Sequence, residues 1–181
     1  ADLSAQLGWR HYGVHESLRL ALDAPEGVPV DIWINIVATI FCARAGLKAA
    51  WTTVANVLRW LIGALNPHPT ESLLWPDFQL VLDVLNASPD TLFSSKPEYT
   101  RSLKQSLEGI TQASGDLFRA FRGFQAERDL IGRGESGVFS MLNMFPSWTR
   151  QSFTDLILGQ ILYGRMHRSH RVDGTEVVLC I

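Results

Sequence analysis

Residues 137–181 read GVFSMLNMFPSWTRQSFTDLILGQILYGRMHRSHRVDGTEVVLCI, and the fold class turns on how this stretch is parsed. Val138 to Phe145 is a near-continuous apolar run closed by Pro146, and its length suits a buried strand. Ser147 stands where it can cap a helix running from Trp148 to about Arg168, with Phe153, Leu156, Ile157, Ile161 and Tyr163 as apolar content. Asp173-Gly174 marks a turn, and Glu176 leads into VVLCI, a second fully apolar run. Strand, long helix, strand is a βαβ unit with parallel strands. Strands this apolar need cover on both faces and neighbours on both edges, which two strands and one helix do not supply. Ile181 falls inside a β-type run, so the expectation is a segment of a larger protein whose sheet continues beyond it.

Upstream, Gly132-Arg133-Gly134-Glu135-Ser136-Gly137 is a turn-rich break. Its glycines fit GxGxxG, but the dinucleotide fingerprint needs a strand before it and a helix starting inside it. Here a polar stretch precedes and a strand follows, so a junction loop is the reading.

Before the break the pattern is helical. Asp31 is expected to cap a helix carrying Trp33, Ile36, Val37, Ile40 and Phe41, and Gly46 ends it. A second helix runs from about Lys48 to Leu65 and stops at Asn66-Pro67. A third runs from Asp77 to about Leu85. A fourth starts near Pro97 and carries Thr100, Leu103, Leu107, Ile110, Ser114, Leu117, Phe121 and Phe124 at steps of three and four. That stripe predicts one continuous helix to about residue 126.

The first thirty residues are irregular, with Ser17 to Leu22 alternating as a short extended piece. The expected organisation is therefore an irregular segment (1–30), an all-α domain (31–127) and a βαβ fragment (128–181). The fold class is mainly α: a helical bundle-like domain followed by one βαβ unit of an incomplete parallel α/β sheet.

Composition narrows the function. Apolar residues make up 46% and charged residues 19%, enough to bury a core and too apolar for a disordered chain. A net charge of −2 argues against a bulk electrostatic grip on nucleic acid and leaves room for a local basic patch. Cys42 and Cys180 stand in apolar runs without metal spacing, which favours a reducing, cytoplasmic setting. The apolar runs Ile32 to Ala43 and Val54 to Leu65 fall short of the roughly 20 residues that a spanning helix needs. His11 with His15, and His167 with His170, are spaced for a shared metal only on a regular helix. Gly13 interrupts the first pair, and the second lies at a helix end where positive side chains suit the helix dipole, so no metal is expected. Neither GxxxxGK[ST] nor GxSxG occurs, so no catalytic residue is assigned. The phosphate-contact candidates are two basic clusters: Arg119, Arg122, Arg128 and Arg133 around the junction, and Arg165 and Arg168, with His167, His170 and Arg171, at the end of the last helix, where a solvated helix C-terminus is the plainer account.

DLIGRGESGVFSMLNMF, then TRQSFTDLILGQILYGRMHR, then TEVVLCI resembles the approach to the Walker B acid in P-loop ATPases of the HerA/FtsK and conjugative (type IV secretion) coupling-protein group. The resemblance covers about fifty residues, and the helical part matches only in kind and position. It implies that an Asp-Glu pair follows Ile181, that the helices are the all-α insertion between phosphate loop and Walker B, and that the parent is a hexameric DNA-translocating ATPase using ATP and Mg. It also implies that Arg150 and Arg165 touch phosphates between subunits. The phosphate-loop Gly, Lys and Thr have no counterpart here, so the segment itself is expected to be inactive, monomeric and without cofactor. On this reading it is cytoplasmic, with a membrane-associated parent, and faces DNA or a secretion or DNA-processing protein. The alternative is a helical protein-interaction module with no nucleic-acid role, using the Trp-rich helices between Trp33 and Trp75.

Overall fold

A computed structural model describes residues 6–13, 18–44, 46–47, 50–68, 73–94, 96–114, 116–118, 123–140 and 147–167. In chain order the elements are strand β1 (Arg10–Gly13), helices α1 (Val30–Arg44), α2 (Trp51–Leu65), α3 (Phe78–Ala87), α4 (Pro97–Ser114) and α5 (Ala126–Asp129), a 3-10 turn at Ile131–Arg133, strand β2 (Gly137–Ser140) and helix α6 (Ser147–His167). The molecule is mainly helical with one small two-stranded parallel sheet, as the sequence indicates.

Apolar spacing makes the helices. Trp33, Ile34, Val37, Ala38, Phe41 and Cys42 form the buried stripe of α1, which lies between α2 and α6. Its C-terminus closes as a Schellman motif. Gly46 takes φ 73°, its N–H reaches the Ala43 carbonyl at 3.2 Å, and the Leu47 N–H reaches that of Cys42 at 2.8 Å. Asp31 lies within the first turn of α1 rather than at its cap, and its carboxylate serves Arg59 instead. Asp77 does cap α3, accepting from the Leu80 N–H at 2.8 Å. Asn66 ends α2 and staples the following chain, donating to Ile62 O and Leu74 O and accepting from the Leu74 N–H.

The long fourth helix is corrected. It ends at Ser114, and Leu117 and Phe118 lie in a turn. Backbone pairing outcompetes helix continuation there: the Leu20 N–H bonds Leu117 O at 2.7 Å, the Phe78 N–H bonds Phe118 O at 3.1 Å, and Phe124 forms a parallel bridge with Leu20. Thr100, Leu103, Leu107 and Ile110 are buried as the stripe requires, so the periodicity holds and only the length fails.

The sheet has an unforeseen member. β2 pairs in parallel with β1, Arg10 opposite Gly137 through Gly13 opposite Ser140, across the whole helical body. The β1 residues fall in the stretch read as irregular. VVLCI lies outside the described residues. A ladder of rings covers the sheet: Tyr12 stacks on Phe139 at 5.1 Å, Phe124 meets both, and Phe139 contacts Phe153 of α6 at 5.6 Å. Gly137 is needed for this approach, since a Cβ there would stand 3.0 Å from Tyr12 and 3.2 Å from Leu130. One hydrophobic core runs from Leu18 through all the longer helices to Ile161. Among the described residues no helix is long and apolar enough to cross a membrane.

Candidate functional site

The extended segment 18–24 forms a strap over the start of α5. Its backbone is tied by the Ala21 N–H to Phe124 O at 2.9 Å and by the Phe124 N–H to Arg19 O at 2.7 Å. Two buried side chains pin it from the other side. The Trp33 indole N–H donates to Leu22 O at 2.8 Å. Gln160, fully buried in α6, donates to Ala21 O at 3.0 Å and accepts from the Ala126 N–H at 2.9 Å. Strap, α5 and α6 thus share a polar seam in which one amide side chain serves three segments. Close approach at the seam depends on Gly164, where a Cβ would overlap the buried Glu127 side chain.

The junction arginines sit on this seam. Arg128 forks onto Asp129, with Nε to Oδ1 at 3.1 Å and Nη2 to Oδ2 at 2.8 Å. Nη2 also donates to Gly123 O at 2.6 Å, and Nη1 reaches Asp23 at 3.4 Å. Arg133 approaches the same Asp129 at 3.6 Å. The hydrogen bond to Asp129 heads the influences that hold the Arg128 guanidinium above its ordinary pKa. Burial pushes Asp129 up, but the Arg128 bond, the Gln125 N–H and the two arginine charges outweigh it and hold the carboxyl below its usual range. Asp23 goes the other way: burial dominates the Arg128 attraction and raises it, and its Oδ1 is buried without a hydrogen-bond partner.

The sequence candidates therefore separate. Arg128 and Arg133 come together, but both are directed at Asp129. Arg150 and Arg165 are half-buried at opposite ends of α6, about 22 Å apart along its axis. Arg119, Arg122 and Arg168 lie outside the described residues. No chain family, curated protein or solved structure matches this sequence.

Among the described residues no three of His, Cys, Asp and Glu converge as a metal-binding group. His11 lies on β1 and His167 ends α6, while His15 and His170 fall outside the described residues. Burial pushes the Cys42 thiol up to about 12, which removes it as a nucleophile. An open depression of ≈ 350 Å³ is lined by Trp9, Arg10, Gly134, Glu135 and their neighbours. It sits at the amino ends of the parallel strands, whereas open α/β sheets bind ligands at the carboxyl ends. Arg10 and Glu135 close on each other there at 2.8 Å. The GxGxxG run has a structural account: Gly134 takes φ 64° to end the 3-10 turn, and Gly137 makes room for Tyr12 and Leu130.

Elsewhere the helical body exposes aromatic surface. Of the tryptophans between Trp33 and Trp75 those two are core, while Trp51 is 37% exposed and Trp60 is 55% exposed. The exposed tryptophans of this stretch both lie on α2. Sequence reading missed Asp23, Asp129 and Gln160. Asp129 carried a signal, standing next to Arg128 and four residues before Arg133. Asp23 and Gln160 carried none, because their partners are far away in sequence.

Proposed function

We propose that this chain is the non-catalytic, partner-facing helical body of an ATP-dependent DNA-translocating motor of the HerA/FtsK and coupling-protein kind. One observation carries the reading. β1 and β2 are adjacent parallel strands, and all of α1–α5 lies between them in sequence. A helical body threaded between neighbouring parallel strands is the arrangement expected of an all-α insertion in an α/β sheet. The resemblance of residues 129–181 to the approach to Walker B supplies the kind of motor. No GxxxxGK[ST] occurs in this sequence, so in this proposal ATP and Mg are held by other parts of the motor.

The reading frame on either side of the segment tests it. A GxxxxGK[ST] upstream of Ala1 and an Asp-Glu pair directly after Ile181 are the expected result; a frame lacking both sinks the motor. The second reading, a protein-interaction module, draws on the exposed Trp60 and Leu92 and survives such an outcome.

A further inference from the structure

We draw no further inference here: the strongest candidate, the exposed apolar surface of the packed helices α1 and α6 with Ile32, Leu162 and Met166 on it, carries nothing because nothing in the structure shows what covers it.

Discussion

The strap–α5–α6 seam and the α2–α4 body are held together by different physics. At the seam, buried polar groups meet named partners, Gln160 bridging Ala21 and Ala126 and Trp33 holding Leu22, while at its exposed rim Arg128 spans Asp129, Gly123 and Asp23. In the body, Val54, Leu58, Leu61, Val81, Leu85, Leu103 and Leu107 pack without polar direction, and its bonded charges lie at the surface. Apolar packing is non-directional and tolerates rearrangement, whereas a buried hydrogen bond has one geometry. The seam therefore sets where the strands and α6 lie, and the body is free to present a face.

The largest effect that separates the two regions should come from Gln160→Leu. It fills similar space but strands the Ala126 N–H and the Ala21 carbonyl in a dry interface, each costing roughly 1–3 kcal/mol. Chemical denaturation should therefore show a loss of about 2–5 kcal/mol, with hydrogen exchange rising first at Ala126. A loss confined to a few tenths would show that the seam is packed rather than pinned.

Next comes Gly164→Ala. The added methyl collides with the Glu127 stem, and overpacking of this kind costs about 1–3 kcal/mol. Gly63 on α2 has open space around it, so Gly63→Ala should be neutral or slightly stabilising. Thermal melts of the two variants moving in the same direction would erase the distinction between seam and body. Smaller again is Arg59→Ala. Its bonds to Asp31 at 2.9 Å and Asn35 at 2.7 Å join α1 to α2 at the surface, where exposed pairs contribute about 0.2–1 kcal/mol. The loss should shrink further in high salt.

The same division explains what could be read from the sequence. Helix positions were legible because Trp33, Val37 and Phe41, or Leu103, Leu107 and Ile110, repeat at helical spacing whatever lies opposite them. Asp77 and Gly46 announced their boundaries through local backbone chemistry. The end of α4 was not legible, since Leu117 continues the stripe and the chain is diverted by the pairing of the Leu117 and Phe118 carbonyls with the distant Leu20 and Phe78 N–H groups. β1 was hidden for a related reason: RHYG has no strand pattern of its own, and its conformation comes from pairing with Gly137–Ser140 far downstream. The arginine candidates were correctly seen as clustered around Arg128 and Arg133. What the sequence lacked was Asp23, brought to Arg128 by the strap.

Asp23 yields the smallest effect, and one of opposite sign. Burial raises its pKa, Oδ1 has no hydrogen-bond partner, and the single contact to Arg128 is long at 3.4 Å. Arg128 spends its better geometry on Asp129, so Asp23 is the carboxylate that loses the competition for charge compensation. A carboxyl with a raised folded-state pKa binds its proton more tightly when folded than when unfolded, so ionising it weakens the fold as pH rises through that window. Asp129, held below the usual range, contributes in the opposite sense and loses its contribution as pH falls through its lowered pKa. Asp23→Asn removes the first dependence and keeps the shape, and the Asn amide can still offer an oxygen to Arg128. The variant should equal the parent in acid, below the ordinary carboxylate range, and exceed it slightly at pH 7. Parallel melts across pH would show the two curves diverging upward from that range. If they instead ran parallel, or the variant fell below the parent at neutral pH, the Arg128 contact would outweigh burial and Asp23 would count among the pins of the seam.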